Sequence, residues 1–270
     1  MHKSILVLFT LIFAVFTTTV CAKPGTFPGR VKYPDLPYME LSDLYSKLND
    51  VVVVDARSIL EFDTLHIKNA INIPVAGKTF EQQVMELRQK TPKPIVFYCN
   101  GRTCMKSFHA TKKAIAAGVK DVYAYDAGIF EWSVAHPDEA VLLGQSPIDV
   151  NHLISKKNFH KRLLNPDAFS IRAIKMGGES MVLDVRDKYQ RAGVGFFPGK
   201  ERWVSLDNKK KLQKFLLKAK RNNKTLFIYD EVGKQVRWLQ YALQKLGIKN
   251  YFFMEKGATA YYASLADWKK

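Results

Sequence analysis

Val51-Val52-Val53-Val54-Asp55-Ala56-Arg57 is the stretch on which the fold turns. Four consecutive β-branched residues leave no polar face, so a strand made of them must be covered on both sides, as a central strand of a parallel sheet is. Further along, Phe80, Val84 and Leu87 recur at helical spacing within residues 79–90, and Pro92 and Pro94 end that helix. Ile95-Val96-Phe97-Tyr98 is a second buried strand and runs directly into Cys99. Ser107 to Ala117 reads as a helix closed by Gly118, and Val122-Tyr123-Ala124-Tyr125 as a third strand, followed by Gly128-Ile129-Phe130-Glu131-Trp132. Ahead of the first strand, Leu41-Ser42-Asp43-Leu44 reads as a short N-capped helix. Strands alternating with helices in this rhythm predict an α/β domain built on a parallel sheet.

The same order returns downstream. Met181-Val182-Leu183-Asp184 mirrors the first strand, Leu226-Phe227-Ile228-Tyr229 the second, and Val236 to Leu246 the helix that Gly247 closes. Asp55 and Asp184 lie 129 positions apart, as do Arg57 and Arg186, Gly118 and Gly247, and Gly128 and Gly257. One offset shared by four landmarks signals an internal duplication. Cys99 instead faces Asp230, at an offset of 131. The expected units are residues 36–145 and 155–270, with residues 136–160 reading as the linker.

The start of the chain belongs to neither unit. His2 and Lys3 precede an apolar run from Ile5 to Phe16, and Val20-Cys21-Ala22 follows. A basic start, a short apolar stretch and a terminal small residue read as a signal peptide over residues 1–22, cleaved after Ala22, so the expected location is periplasmic or secreted. A lipoprotein acylated at Cys21 is the rival reading. With Cys21 removed, Cys99 and Cys104 remain, too few for a disulfide framework and close enough to share chemistry. Neither His109 nor another nearby residue completes a zinc spacing, and no metal or cofactor is expected.

The formal net charge of +17 is one-sided. Residues 23–150 hold 15 Lys/Arg and 15 Asp/Glu, whereas residues 151–270 hold 26 and 10. Export argues against nucleic acid as the partner of the basic half. An anionic partner or membrane surface fits better, and plain solubility is the bland alternative. Between Lys209 and Arg221, Leu212, Phe215, Leu216 and Ala219 form a core-facing stripe, which crowds the lysines onto the outer face.

Taken in order, these segments resemble the rhodanese family. Val53-Val54-Asp55-Ala56-Arg57, Glu61-Phe62, His66-Ile67, Ala70-Ile71-Asn72-Ile73-Pro74, Tyr98-Cys99, and Val122-Tyr123 through Gly128-Ile129 and Trp132 match its strands, turns and active loop. The second half keeps Leu183-Asp184-Val185-Arg186, Pro198-Gly199, Gly247 and Gly257. The resemblance implies two tandem three-layer domains, each a mainly parallel sheet flanked by helices. It also implies an activity: transfer of a sulfane sulfur from a small anionic donor, through a cysteine persulfide, to a thiol acceptor. Carried onto this chain, Cys99 is the nucleophile. Asn100, Gly101, Arg102, Thr103, Cys104, Met105, Lys106 and Ser107 form its anion-binding loop, and Asp55 and Arg57 support that loop.

A thiolate attacks sulfur, and a free thiol with a pKa of about 8.5 is mostly protonated at neutral pH. Loop N–H groups, a helix N-terminus and the charges of Arg102 and Lys106 are available to lower it; two units require about 2.7 kcal/mol. The loop departs from the family pattern. Eight residues precede Ser107, where six is usual and related phosphatases use seven, which leaves the substrate open and a phosphatase as a distant alternative. Cys104 inside the loop makes a thiol–disulfide redox enzyme a second possibility, and a binding module working through the basic half a third. In the second half Asp230 replaces the cysteine, so that loop is expected to be catalytically silent.

Overall fold

The expected strands form where the β-branched and aromatic runs place them. The computed structural model describes residues 26–186, 190–191, 195–206 and 208–267; the expected leader over residues 1–22 and its Cys21 lie outside these. The first half begins with helices α1 (Pro28–Lys32) and α2 (Leu41–Ser46), then strand β1 (Val52–Asp55), helix α3 (Ile59–Thr64) and strands β2 (Leu65–Ile67) and β3 (Ile71–Asn72). Helix α4 (Phe80–Lys90), strand β4 (Ile95–Tyr98), helix α5 (Lys106–Ala116), strand β5 (Val122–Tyr125), helix α6 (Gly128–Ala135) and strand β6 (Ala140–Leu142) follow. β1, β3, β4 and β5 make one parallel sheet in the order β3-β1-β4-β5. Val54, Phe97, Phe80, Val84, Ala110 and Ala114 fill one of its faces, beneath α4 and α5. Val53, Val96, Leu44, Ile129 and Trp132 fill the other, beneath α2 and α6.

Two local readings change. Glu40, not a Ser or Asp, stands at the N-cap of α2 and makes no side-chain cap bond, so Ser42 and Asp43 lie inside that helix. The segment read as linker begins with structure of the first half: Ala140–Leu142 pairs antiparallel with Leu65–Ile67.

The second half contains α7 (Lys156–His160), β7 (Leu163–Leu164), α8 (Pro166–Lys175), β8 (Ser180–Asp184), β9 (Glu201–Trp203), α9 (Lys209–Arg221), β10 (Thr225–Tyr229), α10 (Val236–Lys245), β11 (Tyr251–Met254) and α11 (Gly257–Asp267). Its parallel sheet runs β7-β11-β10-β8-β9, the same order as the first with one strand added at the β11 edge. In the first half Tyr38 bridges to Ala124 of β5 at the corresponding edge. Leu212, Leu216 and Ala219 of α9 are buried and Phe215 is partly buried, as the stripe requires.

The two halves share a core. Trp132 and Ile129 belong to the same buried cluster as Leu183, Val236, Trp238 and Leu239. Phe130 of α6 stacks on Trp238 of α10 at 5.4 Å between ring centres, and the Ile154 N–H donates to the Tyr241 hydroxyl at 2.9 Å. Helix α10, which follows the second half's own loop, therefore packs onto α3 and α6 of the first half.

Candidate active site

β4 ends at Tyr98, so Cys99 leaves the sheet at the C-terminal edge of its central strands, where parallel α/β sheets present their loops. The chain then turns through residues 100–105, with the Cys104 N–H donating to the Gly101 carbonyl at 2.8 Å. Helix α5 opens at Lys106, one residue ahead of the sequence reading, with Met105 at its N-cap. The turn that leads into α6 presses on this loop from the side. An added Cβ at Gly128 would lie 2.3 Å from the Gly101 nitrogen and 2.6 Å from the Asn100 carbonyl carbon, so only glycine allows the approach. The Ile129 N–H then donates to the Cys99 carbonyl at 3.0 Å.

A buried ionic chain fixes the loop from below. Arg57 lies over the Asp55 carboxylate, with its Nε 2.9 Å from Oδ1 and its Nη2 2.6 Å from Oδ2, and both residues are fully buried. Arg57 Nη1 donates to Asn100 Oδ1 at 3.1 Å, and Asn100 Nδ2 donates to Glu61 Oε1 at 2.8 Å. Glu61 closes a capping box with Ser58 at the start of α3 and meets Lys106 Nζ at 3.1 Å. Burial alone would raise the Glu61 carboxyl, but Lys106, Arg57, Asn100 and the Ser58 N–H outweigh it and hold its pKa at about 2. Asp55 and Arg57 thus reach the loop through Asn100. Glu61, whose pattern in the sequence shows only a cap, is the link to Lys106.

The loop does not treat its two cysteines alike. The sequence leads to Cys99 as the ionised, reachable thiol; the structure makes Cys104 the more exposed of the two and the one on the cavity wall. Cys99 is fully buried, and its thiol donates to the Cys104 carbonyl oxygen at 3.1 Å, with Ser107 Oγ at 3.6 Å. A carbonyl oxygen at that distance suits S–H and repels S⁻. Burial first, and the neighbouring Cys104 next, push the Cys99 thiol well above its usual range, against the donors of Ser107. Cys104 is half-buried and stands beside the Cys99 S–H. The neighbouring Cys99 side chain, the backbone N–H groups of Asn100 and Lys106 and the Lys106 charge overcome burial and hold the Cys104 pKa at about 6. The inward amides exist, but two of them serve the second cysteine.

Other loop charges are taken up locally. Arg102 pairs with Glu131 of α6 through Nε and Nη2 at 2.6 and 2.8 Å and lies over the Phe27 ring, so it guards the rim instead of sitting on a sulfur. Ser107 is buried inside α5, where its carbonyl accepts from Thr111 Oγ1. Cys104, with Asn100, Gly101, Arg102 and Thr103, opens on a cavity of about 710 Å³ completed by Phe130, Glu131 and Val134 of α6, the Val150–Lys156 region and Arg237 of α10. Met105 and Lys106 do not line it, and neither does Cys99. A cleft of similar size, about 720 Å³, lies at the far end of β1 around Tyr45, Val52 and Lys68, away from both thiols. Among the described residues no group of three His, Cys, Asp or Glu side chains is placed to hold a metal ion.

The second loop repeats the frame with Asp230 in place of the cysteine. Arg186 grips Asp184 as Arg57 grips Asp55, with Nε and Nη2 at 2.9 and 2.8 Å. The Ala258 N–H donates to the Asp230 carbonyl at 2.8 Å, the partner of the Ile129–Cys99 bond, which places Asp230 where Cys99 stands. An added Cβ at Gly257 would lie 2.4 Å from that carbonyl oxygen. The Asp230 carboxylate accepts from the Gly233, Gln235 and Val236 N–H groups. It occupies its own amide cradle, a stronger block than the repulsion expected from its charge alone.

Residues 40–135 match the family model described as the rhodanese-like domain. Over 86 residues the chain is 36% identical to the HTH-type transcriptional regulator Rv0324 of Mycobacterium tuberculosis, covering 32% of this chain and 36% of that protein. Over 92 residues it is 30% identical to a tRNA uridine(34) hydroxylase of Cytophaga hutchinsonii, covering 34% and 29%. The matched segment therefore spans about a third of these relatives' own lengths. Among solved structures, a thiosulfate sulfurtransferase from Pseudomonas aeruginosa aligns over 89% of this chain and 51% of its own at 19% identity, with a TM-score of 0.35. The BH2092 protein of Bacillus halodurans aligns over 47% and 91% at 23% identity, with a TM-score of 0.38.

Proposed function

We propose that this chain is an exported sulfurtransferase whose loop dithiol takes a sulfane sulfur from a small anionic donor such as thiosulfate and hands it to a thiol. The observation that carries this reading is the Cys104 sulfur, half-buried in the loop and facing an open cavity that the buried Cys99 does not reach. In the first step the Cys104 thiolate attacks the outer sulfur of thiosulfate. A Cys104–sulfur bond forms, the sulfur–sulfur bond of the donor breaks, and sulfite leaves with the electron pair. In the second step an acceptor thiolate takes the outer sulfur of the persulfide and returns Cys104 as thiolate. Cys99 is the positioning partner, whose S–H holds the Cys104 carbonyl and so fixes the loop beside the reacting sulfur.

The second half serves this reading as a degenerate copy of the first, lacking the cysteine. Its strand order, its Asp184–Arg186 pair and the Gly257 turn support that origin. Export rests on the leader sequence at residues 1–22. No helix among the described residues is long and apolar enough to cross a membrane.

The test is sulfite release from thiosulfate by the reduced full chain with a thiol acceptor. Cys104→Ser abolishes it, whereas Cys99→Ser, which keeps a hydroxyl donor, lowers it about tenfold or less. A wild type that releases no sulfite with any sulfane donor sinks the reading. A second reading, a thiol–disulfide redox enzyme, is favoured by the Cys99 thiol lying against the Cys104 residue within one loop. It requires both serine variants to lose disulfide-reductase turnover completely.

A further inference from the structure

Two arginines border the active-loop cavity, and they are held differently. Arg102 is neutralised by Glu131 at the rim. Arg237 reaches the cavity from α10 of the second half and has no carboxylate partner among the described residues. Its Nη2 donates to the Ile154 carbonyl at 3.1 Å and its guanidinium lies over the Phe130 ring at 4.4 Å. Its Nε is buried with no hydrogen-bond partner. Burial of an unpaired cation costs free energy that one carbonyl and one ring face return only in part. Consistent with this, burial holds the Arg237 pKa below the usual guanidinium range. Such a group persists where an arriving anion supplies the missing partner. Beside Glu131, Ser155 and Lys156, the cavity wall carries an apolar stretch of Phe130, Leu153, Val134 and Val150, with Phe130 against the guanidinium itself.

We infer that Arg237 is the anion-recognition residue of this cavity, and that the thiol acceptor it selects carries a carboxylate or sulfonate on a short apolar arm. This rests on the sulfurtransferase reading for the word acceptor; the anion site itself does not. The basic second half thereby contributes directly to a site whose sulfur chemistry belongs to the first.

The test has a binding arm and a turnover arm, both on the full chain. Titration calorimetry with butane-1-sulfonate, against neutral butane-1-sulfonamide, compares wild type with Arg237→Met, which keeps the stem over Phe130, and with Arg237→Lys, which keeps the charge. Arg237→Met weakens the sulfonate at least tenfold, Arg237→Lys weakens it less, and the sulfonamide binds all three alike. The methionine variant melts at or above the wild-type temperature, because the unpaired cation is gone. In turnover at saturating thiosulfate, kcat/KM for 3-mercaptopropionate falls about tenfold more in Arg237→Met than kcat/KM for 2-mercaptoethanol does. Equal sulfonate affinity in wild type and Arg237→Met overturns the inference, as does a wild type that does not bind the sulfonate. No turnover with any thiol, beside an intact binding difference, removes the sulfurtransferase reading and leaves the anion site standing.

Discussion

Replacing Cys99 by alanine removes the side chain beside Cys104 and the S–H that holds its carbonyl, and leaves the Asn100 and Lys106 amides in place. The largest support of the thiolate is lost, so the Cys104 pKa climbs from about 6 toward the free-thiol range. Alkylation followed against pH reads this directly. Wild-type Cys104 reaches half its maximal rate near pH 6, because a depressed pKa keeps the reactive form populated above that point, and Cys99→Ala moves the midpoint upward. An unmoved midpoint contradicts the assigned partnership. At this scale the sequence shows that two cysteines share one loop, but not which is ionised. That distinction depends on the Cys104 carbonyl turning onto Cys99, a backbone orientation that residue types do not encode.

At the scale of elements, the loops are held by the turns before α6 and α11. Gly128→Ala drives a Cβ into the Gly101 backbone, and Gly257→Ala does the same to the Asp230 carbonyl, each at a positive φ. Both variants lose stability, by about 2 kcal/mol or more, but they differ in consequence. Gly128→Ala displaces the reactive loop and slows Cys104 alkylation; Gly257→Ala leaves that rate unchanged where the protein is still folded. Urea denaturation with the alkylation assay separates them, and equal alkylation loss in both contradicts the division of labour. Most of this frame is legible beforehand. Continuous apolar runs specify parallel central strands, and the shared offset of 129 brings Asp55, Arg57 and Gly128 into register with Asp184, Arg186 and Gly257. The β2–β6 pair is not legible, because its strands are three residues each and Ala140–Leu142 falls at the start of the stretch read as the linker.

The molecule as a whole joins the half that carries both cysteines to the half that carries Asp230 through a continuous core. Trp238 is nearly fully buried, stacks on Phe130 and lies under the Arg57 guanidinium at 5.1 Å, so it touches both the cavity wall and the anchor of Asn100. Trp238→Ala costs about 3–5 kcal/mol and splits the single urea transition of wild type into two. A variant that still unfolds in one step denies the core its coupling role. Charge asymmetry alone points to an external anionic partner for the second half. Arg237 could not be singled out from sequence, because it lies more than 130 positions from Cys104 and meets the loop only through the docking of α10.

The account stands on Cys104 as the sulfur that meets the donor. Trypsin cuts after Arg102 and so separates Cys99 from Cys104. Reduced protein is exposed briefly to thiosulfate at neutral pH, alkylated, denatured and digested, and each cysteine peptide is weighed. One added sulfur on the Cys104 peptide is the predicted result; the extra sulfur on the Cys99 peptide, with Cys104 unmodified, contradicts it.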